Sequence, residues 1–164
     1  MSKQKVIICH SINENLADAI SQCTYDKLFI LVDEHTRKLC IPLIQEAGFM
    51  KDAQLICIGA EDVHKNLDTL AYVWKQLGDR GATRHSLLVN LGGGMVTDLG
   101  GFAASTFKRG IKYINVPTTL LAMVDASVGG KTAVDLPSGK NLVGAFWQPK
   151  LVLCDILALS TLPE

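Results

Sequence analysis

The chain has 164 residues, 48% of them hydrophobic, enough for one well-buried core and few for two. Its 16 Lys and Arg balance 16 Asp and Glu, so no net field draws it to nucleic acid or to an anionic membrane, and any anion site must be local. The five cysteines, at 9, 23, 40, 57 and 154, form no C-x-x-C pair, zinc spacing or even framework, and the N-terminus offers only Val6-Ile7-Ile8-Cys9 as an apolar run. These features predict reduced thiols, a cytoplasmic protein and no membrane segment.

Lys5 to His10 and Leu28 to Val32 predict short strands, and between them Glu14 to Gln22 places Leu16, Ala19 and Ile20 on one helical face. Glu34 to Ala47 predicts a helix with a kink point at Pro42 and closure at Gly48, Gln54 to Ile58 a third strand, and Asn66 to Leu77 a further helix. Ser86 to Leu91 is an apolar strand entering Gly92-Gly93-Gly94, and Met95 to Phe107 leaves that turn with helical spacing. Ile111 to Val116 is a strand cut off by Pro117. Strands alternating with helices predict an α/β fold, Rossmann-like, with a largely parallel sheet and flanking helices, organised as one domain over residues 1–164 with ligand loops at the carboxyl ends of the strands. After Pro117 the alternation stops. Thr118 to Val124 fits a short helix, and Lys131 to Leu136 with Asn141 to Trp147 fit a β-hairpin around Pro137-Ser138-Gly139.

Glycines let the backbone approach a ligand without a Cβ in the way, and the first N–H groups of the following helix attract phosphate oxygens. The fingerprint G-x-G-x-x-G is nevertheless not met, because Thr97 stands where its last glycine belongs. For three glycines alone, a phosphate cradle and a plain tight turn weigh about evenly. In the hairpin, Lys131 and Lys140 with Asn141 can neutralise a phosphate if loops bring them together; ordinary surface lysines are the alternative. His10, His35, His64 and His85 are scattered, with none of the i, i+4 pairing of a helix-borne zinc site, and predict no metal ligands.

Several runs fall together in order and spacing: Gly92-Gly93-Gly94-Met95-Val96-Thr97-Asp98, Arg109-Gly110, Val116-Pro117-Thr118-Thr119-Leu120-Leu121-Ala122-Met123-Val124-Asp125, Gly129-Gly130-Lys131-Thr132 and Gly139-Lys140-Asn141-Leu142-Val143-Gly144-Ala145-Phe146. With these runs the chain resembles the 3-dehydroquinate synthases, over residues from about 28 to 164 and most densely from 91 onward. The resemblance implies an NAD-dependent sugar phosphate cyclase of the shikimate pathway that turns 3-deoxy-D-arabino-heptulosonate 7-phosphate into 3-dehydroquinate and phosphate. Its steps would be oxidation, phosphate elimination, reduction and aldol cyclisation. It further implies that the chain stops before a helical half holding the Glu, His, His ligands of a divalent metal, zinc or cobalt, so that this half alone lacks turnover and supplies no catalytic acid or base.

Carried onto this sequence, the resemblance implies cofactor contacts at Asp33, Gly93, Gly94, Asp98, Thr118, Thr119 and Asp125, and at Ala158 and Thr161 near the end. The family's Glu-x-x-Lys corresponds to Asp62 and Lys65, a departure in which Glu61 is a neighbouring candidate. Lys131 and Lys140 would touch both cofactor and substrate, and Asn141 the substrate phosphate. Arg109 would reach the phosphate pocket of a second subunit, which implies a homodimer. Two other readings stand beside this one: a different cyclase or polyol dehydrogenase of the superfamily, against which the intact Gly-Lys-Asn-Leu-Val-Gly-Ala-Phe run speaks, and a stand-alone nucleotide-binding module.

Overall fold

The computed structural model describes residues 5–9, 11–126 and 130–155. Six strands form one parallel sheet: β1 (Val6–Cys9), β2 (Leu28–Asp33), β3 (Ala53–Ile58), β4 (Leu87–Gly92), β5 (Lys112–Pro117) and, last in the chain, β8 (Leu151–Asp155), in the order β1-β8-β5-β4-β2-β3. The helices are α1 (Ile12–Ser21), α2 (Glu34–Leu39), α3 (Ile41–Ile44), α4 (Leu67–Asp79) and α5 (Gly94–Thr106). Between β5 and β8 lies the antiparallel hairpin of β6 (Lys131–Leu136) and β7 (Gly139–Phe146). This is the Rossmann-like arrangement that the alternation predicts.

Period-two alternation decides the two faces of the sheet. Leu28, Ile30 and Val32 of β2 pack with Leu16 and Ile20 of α1 on one side, while Phe29 and Leu31 pack with Val73 and Leu77 of α4 and Leu99 of α5 on the other. Helix α5 is buried on almost every side, since it lies between the sheet and the hairpin. Its glycines permit this. A Cβ on Gly100 would fall 2.0 Å from Asn90 Oδ1 in the sheet, and one on Gly101 2.5 Å from Thr132 Cγ2 in the hairpin.

The expected helix from Glu34 to Ala47 is broken. Pro42 has no N–H to donate and its ring crowds the carbonyl four residues back, so α2 ends at Leu39 and α3 restarts with Pro42 in its first turn. The Asn66 side chain caps α4 by accepting from Thr69 N at 2.9 Å, which moves that helix one residue on from the expected start. The expected short helix after Pro117 includes a wide helical turn over Ala122–Ala126. Strand β8 was absent from the pattern reading; it pairs with β1 and β5 and thereby holds the N-terminal strand in the sheet. No helix among the described residues is long and apolar enough to cross a membrane.

Candidate functional site

The order of strands makes the site. From β2 the chain steps outward to β3 and then returns to β4 on the other side of β2, so the carboxyl ends of β2 and β4 flank a switch point, where sheets of this type receive ligands. Asp33 closes β2 and Gly92-Gly93 closes β4 at that edge. Gly93 is the N-cap of α5 and has no side chain to cap it; the first backbone bond of the helix runs from Thr97 N to Gly93 O at 3.0 Å. The N–H groups ahead of it remain for a ligand's oxygens. A Cβ on Gly93 would lie 3.1 Å from Thr119 Cγ2, so glycine keeps the gap between the two loops open.

Beside this turn a cleft of about 660 Å³ is lined by Asp62, Lys65, Gly94, Met95, Asp98, Leu121, Lys131 to Ala133, Asn141 and Gly144 to Phe146. Lys65 is its centre. The residue is 8% exposed, and its Nζ donates to Asp98 Oδ2 at 2.7 Å and to Asn141 Oδ1 at 2.6 Å, joining the turn after β3, helix α5 and the hairpin. Two carboxylates, two ammonium groups, an amide and a helix N-terminus thus converge, which suits a ligand that is both phosphorylated and hydroxylated.

Several residues expected in the site have further roles. Asp33 caps α2, its Oδ1 accepting from Thr36 N at 2.8 Å. Asp62 lines the cleft whereas Glu61 does not, so the shorter side chain occupies the position. Thr118 N donates to Gly92 O at 2.9 Å and Thr119 Oγ1 accepts from Ala122 N at 3.2 Å, which ties both threonines to the glycine turn and to the segment after it. Thr97, where the dinucleotide fingerprint would have its last glycine, is buried and its hydroxyl donates to Gly93 O and Gly94 O at 3.3 and 3.2 Å.

The hairpin does not bring its two lysines together as expected. Lys131 pairs with Phe146 at the open end, while Lys140 follows the turn and lines a second cleft of about 460 Å³. About four strand residues separate them, roughly 13 Å along the hairpin. Arg109 is exposed beyond the far end of α5, in a left-handed conformation with φ of 69°. The side chain of Asp125, and all of Ala158 and Thr161, lie outside the described residues.

Beneath the cleft Tyr113 is buried, which pushes its phenol well above the ordinary value, with the Asp98 carboxylate adding to the effect. It stays protonated and donates to Trp147 O. Composition points to none of Met95, Leu121 or Phe146 as lining residues, because an apolar side chain by itself carries no mark of a cleft.

Residues 55–164 match the sequence family described as 3-dehydroquinate synthase N-terminal. The chain belongs to this family. The 3-dehydroquinate synthase of Parabacteroides distasonis is 50% identical over 162 residues, covering 99% of this chain and 46% of that protein. Among solved structures, 2-epi-5-epi-valiolone synthase from Streptomyces hygroscopicus subsp. jinggangensis 5008, with NAD+ and Zn2+ bound, is 30% identical with a TM-score of 0.87 over 99% of this chain and 45% of its own. A 2-deoxy-scyllo-inosose synthase complexed with carbaglucose-6-phosphate, NAD+ and Co2+ gives 30% and 0.86 over 94% and 43%. The chain spans a little under half the length of these 3-dehydroquinate synthase and cyclase relatives.

Proposed function

We propose that this chain is the cofactor- and phosphate-positioning half of a 3-dehydroquinate synthase that converts 3-deoxy-D-arabino-heptulosonate 7-phosphate to 3-dehydroquinate and phosphate. The observation that carries this reading is Lys65, drawn between Asp98 and Asn141 beside an uncapped helix N-terminus at the switch point. Bound NAD would supply a reversible hydride acceptor. The residues fit it: Gly93 and Gly94 leave room and backbone donors for a pyrophosphate, and Asp33 stands at the strand end where a carboxylate accepts from a ribose diol. Asp62, Lys65, Asp98, Thr118, Thr119 and Asp125 complete the proposed cofactor contacts, with Ala158 and Thr161 assigned by family position.

Lys131 in the first cleft and Lys140 in the second would contact both cofactor and substrate, Asn141 would hold the substrate phosphate, and Arg109 would reach that phosphate from a second subunit of a cytoplasmic homodimer. By resemblance to the family we assign zinc or cobalt to Glu and His ligands in the other half of the protein. What this half contributes is binding and orientation, which can supply a large part of a rate enhancement without proton transfer. The test is turnover. A protein carrying both halves, with NAD, zinc and the heptulosonate phosphate, is expected to form 3-dehydroquinate and release phosphate, and the 164-residue chain alone to release none. Failure of the whole protein to form the product contradicts the assigned reaction, and phosphate release by the chain alone contradicts the division of labour.

A further inference from the structure

We propose that Asp135 is a positioning residue that holds Lys65 and Asn141 in their binding geometry through a closed ring of hydrogen bonds. The inference rests on the reading of Lys65 as a cofactor contact and Asn141 as a phosphate contact. Asp135 N donates to Lys65 O at 2.8 Å, Lys65 Nζ donates to Asn141 Oδ1 at 2.6 Å, and Asn141 N donates back to Asp135 Oδ1 at 2.9 Å. The ring links Lys65 to two hairpin residues far from it in the chain, and each member supplies one bond.

The hairpin is built to allow it. Pairing shifts register between Val134 and Leu136, where Asp135 falls, and its backbone N–H donates to the segment carrying Lys65. Asn141 sits at φ of 56°, a left-handed conformation that asparagine tolerates better than most residues. In that conformation its N–H meets the Asp135 carboxylate. The ring also orients the Asn141 carboxamide. An ammonium group only donates, so the oxygen end must face Lys65, and the NH2 end is left to donate to a phosphate oxygen. Without the acceptor on Asp135 the backbone of Asn141 loses its tether, so the carboxamide that holds Lys65 Nζ loosens and Lys65 with it, while the bond from Asp135 N to Lys65 O stays.

The test uses two variants of the chain. Asp135→Asn keeps an oxygen acceptor at the same place, and Asp135→Leu keeps the size and removes it. Amide hydrogen exchange read by NMR is expected to leave Asn141 at the parent rate in Asp135→Asn and to be about tenfold faster or more in Asp135→Leu, with Leu77 in the core unchanged in both. NAD affinity is expected to stay within about twofold in Asp135→Asn and to fall about tenfold in Asp135→Leu. Parent-like exchange at Asn141 or parent-like NAD affinity in Asp135→Leu overturns the proposal, as does an Asn141 amide in Asp135→Asn that exchanges as fast as in Asp135→Leu. Should Asp135→Leu not fold, Asp135→Ala replaces it with the same expected results, and the Asp135→Asn exchange rate decides by itself. If the parent chain binds no NAD, the cofactor reading fails while the exchange rates still decide the role of Asp135.

Discussion

At the scale of single residues, the glycines of α5 have separate duties that identical chemistry conceals. A Cβ on Gly100 would fall 2.0 Å from Asn90 Oδ1, a buried oxygen with no hydrogen-bond partner among the described residues. Asn90 is fully buried and its Nδ2 donates to Asn115 Oδ1, so moving the carboxamide aside breaks a buried bond, and Gly100→Ala is expected to cost about 2 to 4 kcal/mol, read as a lowered urea midpoint. Gly78, inside α4 with nothing within 4 Å of its would-be Cβ, should behave oppositely, and Gly78→Ala is expected to stabilise by about 0.5 to 1 kcal/mol. Both are glycines inside helical sequence, and what separates them is the neighbour across the interface, which the sequence pattern does not show. The Lys65 to Asp98 pair is similar, because the two residues are 33 apart in sequence and only the fold brings them to 2.7 Å. Resemblance named both; spacing named neither. In the whole protein, Lys131→Ala is expected to lower turnover, since a charge-assisted hydrogen bond is worth roughly 1.5 to 3 kcal/mol, whereas Lys38→Ala on exposed α2 should do little. Equal effects in a steady-state assay would demote Lys131 to an ordinary surface residue.

At the scale of elements, strands and helices were legible where hydrophobic period and punctuation agreed, as in β2, α4 and the glycine turn into α5. The break at Cys40 was half legible: Pro42 marked it, but the sequence does not say whether a helix bends or stops. Strand β8 was missed because Leu151–Asp155 is a short apolar run whose meaning depends on partners β1 and β5, one of them at the other end of the chain. The turn before β4 carries a pH prediction. The Thr83 hydroxyl, and the Ser86 hydroxyl beside it, donate to Asp26 and hold its carboxyl below the ordinary value of 3.8, against a partial desolvation that acts the other way. A lowered folded-state value means that the stabilisation is fully present above 3.8 and is lost as pH falls through the lower value. The difference in urea midpoint between the parent and Asp26→Asn should therefore be flat near neutrality and shrink below that pH. A difference that grows on acidification would show the sign to be wrong. The effect should be small, because the carboxylate is exposed.

At the scale of the molecule, the switch point explains why residues from five segments meet at one cleft and why Arg109 does not. Helix α5 starts at the glycine turn and its 13 residues carry the chain about 20 Å before Arg109. A second subunit can present that guanidinium to the phosphate more readily than the same chain. Mixing whole-protein chains bearing Arg109→Ala with others bearing Lys131→Ala should then restore activity, because each mixed dimer has one pocket with both residues intact. No gain over the parent mutants, with mixed dimers shown to form, contradicts action in trans. The central claim is narrower than any of these: the glycine turn and Lys65 form an NAD site within this chain. A titration of NAD into the 164-residue chain, followed by amide NMR, tests it most directly. The account predicts progressive shifts at Gly93, Gly94, Lys65 and Asp98, with an affinity as weak as about millimolar. Spectra unchanged at those four amides at the highest attainable NAD concentration would contradict it.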